Sequence, residues 1–254
     1  ARMGGRSVGI VLSGGGARAF AHIGVLEELE ASGLEIDRVA GVSMGAFIGG
    51  MFAMGMNADE IDARCYEEWI RRRPLGDYTV PRHSLIRGDR ARAMLTRTFG
   101  TVAIEELRRG FFCGSAELRT GELVISRWGS LWDAVATSFA IPVLAPAQVR
   151  GRRILVDGSL VDNLPAAEMA ALGEGPIIAV DVKATVGRPA GASRQRSSAD
   201  GQAEPELRTP SLGETLARVL LLGSSNTSET ARHHADWTIT PRSEGVGLLE
   251  FHQL

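Results

Sequence analysis

Ser43 is the residue whose sequence context best suits it to nucleophilic chemistry. It lies at the centre of a GxSxG motif, residues 41–45, between an apolar run typical of a buried strand and an apolar run with helical spacing. In a strand–turn–helix context, the two glycines allow a sharp turn that exposes the serine hydroxyl. The amides at the start of the following helix can stabilise negative charge. The pattern therefore favours acyl transfer through a serine nucleophile.

A glycine-rich loop at residues 14–18 forms a second candidate site, between a predicted strand and a predicted helix. Successive amides in such a loop can point into one concavity, where the positive end of the helix dipole reinforces them. The residues alone leave two interpretations open, an anion site and a tight turn.

A nucleotide-binding module is the main non-enzymatic alternative, because residues 14–19 also fit a dinucleotide-binding fingerprint. That fold needs an acidic residue after the second strand to hold a ribose. Glu35 and Asp37 instead precede the second predicted strand, and residues 39–58 contain no acid. This spacing counts against the nucleotide interpretation.

Asp157 follows a short apolar strand and is the favoured base for Ser43. A histidine base is the alternative, since His233, His234 and His252 complete the Ser…Asp…His order of α/β-hydrolases. However, Ser43 follows only the second strand, and the adjacent histidine pair lies in a polar stretch typical of a solvated helix end. A dyad of Ser43 and Asp157 is the leading hypothesis.

The elements that must position these residues alternate between short apolar strands and helices. This alternation predicts an α/β fold in which helices cover both faces of a mostly parallel sheet, as one domain over residues 1–254. Strands are predicted at residues 7–13, 36–42, 110–118, 122–126, 154–156, 176–182 and 236–239. Helices are predicted at residues 17–31, 44–54, 59–72, 88–99, 131–139, 163–172 and 212–222.

Two segments have an unusual composition. The charge-free residues 39–58 are long enough for a membrane helix, but their glycines favour a buried strand followed by a buried helix. Residues 185–210 are rich in glycine, proline, serine and charge, which predicts a mobile excursion. This excursion is either a lid or a tolerated surface insertion.

Composition and charge narrow the classes of function. The formal net charge of -2 provides no global field that attracts nucleic acid or an anionic membrane. The two cysteines, in no CxxC spacing, exclude a disulfide framework and a thiolate zinc site, and are compatible with a reducing compartment. We expect no cofactor and no metal. Residues 51–56 are interpreted as core in preference to an acyl groove, and residues 69–73 as a solvated helix end in preference to a head-group contact.

Three motifs, in their order and spacing, resemble those of the patatin-like phospholipases: the glycine-rich loop, the GxSxG motif and the Asp-Gly turn that begins at Asp157. The sequence is most similar to the catalytic domain of the neuropathy target esterase branch and its bacterial relatives, and the resemblance covers about residues 7–183. Further similar stretches are residues 21–26, 141–142, 162–165 and 177–182. Ala19 and Ser159 replace glycines of the family pattern, and Ser159 puts the aim of Asp157 in question.

The resemblance implies a patatin-like three-layer α/β/α fold with a mostly parallel central sheet. It implies that Ser43 is the nucleophile and Asp157 is the general base. The implied oxyanion-hole residues are Gly14, Gly15, Gly16 and Ala17, with Arg18 supporting the loop.

The activity implied is a serine lipid acyl hydrolase that cleaves carboxylic esters of phospholipids or lysophospholipids through an acyl-serine intermediate. Its expected partner is a lipid ester at a membrane or micelle surface, and its expected location is cytoplasmic or peripheral to the membrane on that side. An acyltransferase that uses the same acyl-enzyme remains an alternative. Relatives often carry upstream cyclic-nucleotide-binding and membrane segments, which these 254 residues lack, so we expect a stand-alone enzyme or an excised catalytic domain.

Overall fold

The computed structural model describes residues 6–182, 231–243 and 246–251. The predicted excursion at residues 185–210 and the predicted helix at 212–222 lie outside the described residues. The strands of the described part are β1 (Gly9–Leu12), β2 (Arg38–Val42), β3 (Gly110–Glu117), β4 (Leu123–Ser126), β5 (Gln148–Arg150), β6 (Arg153–Asp157), β7 (Ile177–Val180) and β8 (Trp237–Ile239). Its α-helices are α1 (Ala21–Ala31), α2 (Met44–Met54), α3 (Ala58–Cys65), α4 (Asp89–Phe99), α5 (Leu131–Ser138) and α6 (Ala166–Ala170).

These strands form one sheet in the order β5-β6-β3-β2-β1-β7-β8, with β4 paired to β3. Five neighbouring strands of this sheet, β3, β2, β1, β7 and β8, run parallel to one another. By contrast, β4 and β6 are antiparallel to β3, and β5 is antiparallel to β6. The predicted α/β class and mostly parallel sheet are confirmed. Strand β5 was not predicted, because three residues carry too little alternation to be recognised.

Helices cover both faces of the sheet and complete three layers. The strand residues alternate between two apolar clusters, since successive side chains of a strand point to opposite faces. Ile10 and Leu12 pack with α1 to α5 in the larger cluster, and Val11 packs with α6 in the smaller one. This alternation explains why β1 and β7 are apolar along their whole length, and β2 is apolar after Arg38.

The charge-free stretch at residues 39–58 forms a buried strand, the turn at Ser43 and the buried helix α2, as predicted. None of the helices in the described ranges has the length and apolar character that crossing a bilayer requires. The methionines and phenylalanine of residues 51–56 pack in the larger cluster, which confirms their interpretation as core. Trp69 is buried beside Phe47 and Phe139. The predicted solvated helix end and the alternative head-group contact are therefore both wrong for this tryptophan.

Several helices differ from their predicted bounds. Residues 17–31 form a 3₁₀ turn, Gly16–Phe20, followed by α1. The predicted helix at 59–72 begins at an Asn57 capping box with Glu60, and after α3 it continues as a π-helix, Tyr66–Arg71. The predicted helix at 163–172 shortens to α6 because Pro165 lies just before it.

Candidate active site

Ser43 lies in the turn between β2 and α2 with φ 54° and ψ −127°, a conformation that residues other than glycine rarely adopt. The glycines of its motif are required by close packing of the backbone. A Cβ on Gly41 would lie 2.5 Å from the Gly45 carbonyl oxygen, and a Cβ on Gly45 would lie 2.5 Å from the Ser13 carbonyl oxygen. The motif therefore holds the first turn of α2 against the ends of β1 and β2.

The sheet brings Asp157 to Ser43 across 114 positions of sequence. β2 pairs with residues 110–114 of β3, and β6 pairs with residues 115–117 along the same edge, while β4 occupies the opposite edge. Asp157, which lies opposite Ser115 at the end of β6, is therefore just beyond the end of β2. The Ser43 hydroxyl donates a hydrogen bond of 2.7 Å to Asp157 Oδ2. The two residues that the sequence analysis paired are thus in direct contact.

A hydrogen bond to the second carboxylate oxygen of Asp157 fixes the orientation of the group. The Ser159 amide donates to Asp157 Oδ1 at 2.9 Å, and the Asp157 amide donates to the Ala140 carbonyl at 3.0 Å. Ser159, which stands where the family pattern has glycine, therefore leaves the carboxylate directed at Ser43.

Burial raises the pKa of the Asp157 carboxyl above its ordinary value, because its side chain is withdrawn from water and the charged form loses hydration. Hydrogen bonds from Ser43 and Ser159 to the carboxylate oppose this shift. A carboxylate with a raised pKa is a stronger base, and its pKa lies closer to neutral pH.

Ser138, the last residue of α5, holds the backbone of the serine turn and was not found by sequence reasoning. Its buried hydroxyl accepts a hydrogen bond of 2.9 Å from the Ser43 amide and donates one of 2.7 Å to the Gly114 carbonyl in β3. The strained residue is therefore fastened to the neighbouring strand through a side chain of another element.

The glycine-rich loop lies directly against Ser43, since a Cβ on Gly14 would be 3.1 Å from the Ser43 Cβ. The Gly14 amide donates a long hydrogen bond, 3.4 Å, to the Asn163 carbonyl. Within the described ranges, no acceptor is bonded to the amides of Gly15 and Gly16. Among the described residues, two of the four predicted oxyanion-hole amides thus have no acceptor and can donate to an anionic oxygen.

Residues 246–251 pack against this loop and are called the C-terminal segment from here on. The Ala17 amide, the fourth predicted oxyanion-hole donor, is bonded to the Leu248 carbonyl at 2.9 Å. Arg18 Nε donates to the Val246 carbonyl at 2.7 Å, and Phe251 stacks on Trp69 at 4.3 Å. Arg18 thus connects the loop to the C-terminal segment, a contact that the sequence did not indicate.

In the described part of the chain, no histidine is hydrogen-bonded to Ser43. His22 is fully buried, and its Nε2–H donates to the Ser13 carbonyl at 2.8 Å. Burial lowers the pKa of His22 to about 4, so the ring is neutral at neutral pH. No hydrogen bond joins the side chain of His233 or His234 to the serine turn in the described ranges, and His252 lies outside them.

A dinucleotide site would need an acid directly after β2, but β2 ends at Val42 and Ser43 follows it. Asp37 lies at the start of β2, where its carboxylate accepts the Val8 amide at 3.0 Å. The glycine-rich loop follows the opposite end of β1. The site therefore combines a serine in a strained turn, a buried carboxylate and two free amides, which is an arrangement suited to acyl transfer.

Comparisons with known proteins identify the family. A family model described as patatin-like phospholipase matches residues 10–170, which contain Ser43, Asp157 and the glycine-rich loop. The chain belongs to the patatin-like phospholipase family.

Its relatives lie in the branch that the motifs indicated. The chain is 38% identical over 265 aligned positions to an uncharacterized NTE family protein of Mycobacterium tuberculosis, covering 100% of this chain and 45% of that protein. It is 36% identical over 183 positions to lysophospholipase NTE1 of Candida glabrata, covering 70% of this chain and 10% of that protein. The chain thus spans less than half the length of these relatives.

Among solved structures, VipD from Legionella pneumophila is similar with a TM-score of 0.49 and 14% sequence identity. The match covers 91% of this chain and 67% of the VipD chain.

Proposed function

We propose that this chain is a serine lipid acyl hydrolase that cleaves carboxylic esters of phospholipids and lysophospholipids. The observation that carries the proposal is the 2.7 Å hydrogen bond from the Ser43 hydroxyl to Asp157 beneath the glycine-rich loop. Family membership supports the lipid ester as substrate. Lysophospholipids are favoured because relatives at 36% identity carry the name lysophospholipase.

In the proposed first step, Asp157 removes the hydroxyl proton of Ser43 as Oγ attacks the acyl carbon. The amides of Gly15 and Gly16 hold the negative oxygen of the tetrahedral intermediate. The ester C–O bond then breaks, and Asp157 returns the proton to the leaving alcohol, which leaves the acyl group on Ser43. Water enters, gives a proton to Asp157 and attacks the acyl-serine, which releases the fatty acid and restores the Ser43 hydroxyl.

The geometry supports this division of labour. An aspartate is a weak base for a hydroxyl, so much of the rate must come from stabilising the oxyanion. One oxyanion-hole donor contributes about 3–4 kcal/mol to transition-state stabilisation in enzymes where this has been measured. The amides of Met44 and Gly45, at the start of the 11-residue helix α2, add positive potential at Ser43.

A panel of phospholipids, lysophospholipids and short p-nitrophenyl esters tests the proposal. We expect the chain to release fatty acid from lysophospholipid, Ser43→Ala to abolish release, and Asp157→Asn to reduce it by orders of magnitude. Asp162→Asn is the control, because Asp162 is a nearby, half-buried aspartate whose carboxylate accepts the Leu164 amide and, among the described residues, makes no hydrogen bond with Ser43. Full activity of purified Ser43→Ala would refute the proposal.

A further inference from the structure

We propose that an exposed surface beside the serine site docks the chain on a membrane of anionic phospholipid. The surface consists of Tyr78, Val80, Arg73, Arg82 and Val143, and is called the docking surface below. The proposal rests on the proposed function, since it states where that hydrolase meets its lipid.

The apolar members of the docking surface are unusually exposed. Tyr78 and Val80 are 77% and 78% exposed, and Val143 is 48% exposed. Isolated exposed apolar side chains are ordinary on proteins, but three that lie on two joined loops form a patch. Tyrosine and aliphatic residues of this kind enter the boundary between head groups and acyl chains.

Backbone hydrogen bonds join the two loops into one surface. The Leu85 amide donates to the Val143 carbonyl at 2.7 Å, and the Ile86 amide donates to the Leu144 carbonyl at 3.0 Å. Ile86 is fully buried and pairs with Tyr78 in an isolated bridge, so the exposed side chains stand on an anchored base.

Val143 has a φ of 70°, a conformation that a β-branched residue rarely adopts. Such strain persists only where the surrounding structure imposes it, and it is concentrated at functional sites. The carbonyl of this strained residue accepts the Leu85 amide, while its side chain remains half exposed.

The segment that carries most of the docking surface is positively charged, whereas the chain as a whole is negatively charged. Residues 73–92 contain five arginines and two aspartates, a formal charge of +3, whereas the whole chain carries -2. One of the aspartates, Asp77, is buried and accepts the Arg90 amide. In the described residues, no acidic side chain pairs with Arg73 or Arg82. A basic surface with exposed apolar side chains fits anionic lipid head groups.

The docking surface is close to the reacting groups. The Ala140 carbonyl accepts the Asp157 amide, and Val143 follows three residues later. Three residues of extended chain span at most about 11 Å, so Val143, the nearest member of the surface in sequence, lies within about that distance of Ala140, which holds the base. A membrane bound there would present its ester bonds at the end of the sheet where Ser43 lies.

The test uses the Ser43→Ala chain, which does not consume the lipid, in sedimentation with vesicles. One vesicle contains phosphatidylcholine and phosphatidylglycerol in equal parts, and the other contains phosphatidylcholine alone. We expect binding to the mixed vesicles that weakens with added salt, and weak binding to the neutral ones. The double variant Val80→Asp with Arg82→Glu makes the surface more negative by three units of charge, and it should bind the mixed vesicles about 100-fold more weakly, at about fivefold per unit of charge.

The matched control is Leu34→Asp with Arg108→Glu. It introduces the same change of charge on exposed side chains near the starts of β2 and β3, away from Ser43. The control should bind as the parent does, and circular dichroism melts should be alike for both variants.

Equal binding by the two double variants, or equal binding to neutral and mixed vesicles, would overturn the docking surface. Failure of the proposed function would be seen separately, as absent hydrolysis of soluble p-nitrophenyl ester by the chain with Ser43 intact.

Discussion

Replacement of Ser138 by alanine tests whether the serine turn must be held from outside. The side chain accepts from the Ser43 amide at 2.9 Å and donates to the Gly114 carbonyl at 2.7 Å, and both bonds are buried. A buried amide left without an acceptor costs about 1–3 kcal/mol, and the second hydrogen bond contributes about 1 kcal/mol. We therefore expect Ser138→Ala to lower the free energy of unfolding by about 2–4 kcal/mol.

Ser138→Ala should also lower the rate of hydrolysis by the molecules that remain folded, in addition to any loss of folded protein. The φ of 54° at Ser43 represents about 1–3 kcal/mol of backbone strain, which the hydrogen bond to Ser138 helps to maintain. If the turn relaxes, the population with the hydroxyl on Asp157 falls by roughly 5- to 150-fold. Because Ser138 is fully buried and contacts no substrate, kcat should fall by that factor while KM stays nearly constant.

The assay is steady-state hydrolysis of lysophospholipid, expressed per folded molecule, together with thermal melts. Ser115→Ala is the control, because Ser115 is a fully buried serine whose hydroxyl contacts the Thr137 hydroxyl, at 3.0 Å, and not the serine turn. It should lose stability without a change in kcat. An unchanged kcat in Ser138→Ala, or equal losses in both variants, would refute the reasoning.

Three further predictions concern the loop and the base. Gly16→Ala should reduce kcat at least about tenfold, because the added Cβ would collide with the Leu248 carbonyl and the φ of this residue is 55°. Gly24→Ala is the control: open space surrounds Gly24, so this change should leave kcat unchanged and should match or raise the Tm. Steady-state kinetics and melts check this pair. The value of kcat/KM should fall as the pH falls through the pKa of Asp157, which lies above the ordinary aspartate value. In Ser159→Gly this fall should occur at higher pH, because the Ser159 side chain lowers the pKa of Asp157. Because the pKa of Asp157 is raised on folding, its ionisation costs stability above that pKa; Asp157→Asn should therefore melt at the same or a higher temperature at neutral pH, with the difference vanishing below the ordinary aspartate pKa.

Much of the site was accessible from sequence because its motifs are local. Gly41 is required by a contact four residues away, with the Gly45 carbonyl, whereas Gly45 is required by the end of β1. The pattern of residue types alone nevertheless predicts the turn. The position of Asp157 at the end of a strand was likewise readable. Its distance from Ser43 depends on β6 pairing with β3, a pairing that the sequence analysis did not predict.

The remaining parts of the site depend on contacts that no local pattern encodes. Ser138 ends an ordinary amphipathic helix, and only the packing of α5 against β3 brings its hydroxyl to the Ser43 amide. The bond from Ala17 to Leu248 joins residues more than two hundred positions apart through backbone atoms, which every residue type carries. Trp69 seemed a helix-end residue because its partner Phe251 is equally remote in sequence.

The most direct test of the central claim is the position and rate of labelling by a fluorophosphonate, which reacts with activated serine hydroxyls. Mass spectrometry of the digested protein should place one adduct on Ser43, with labelling absent in Ser43→Ala and slowed by orders of magnitude in Asp157→Asn. An adduct on another serine, or labelling of Asp157→Asn at the parent rate, would contradict the claim that this carboxylate activates Ser43.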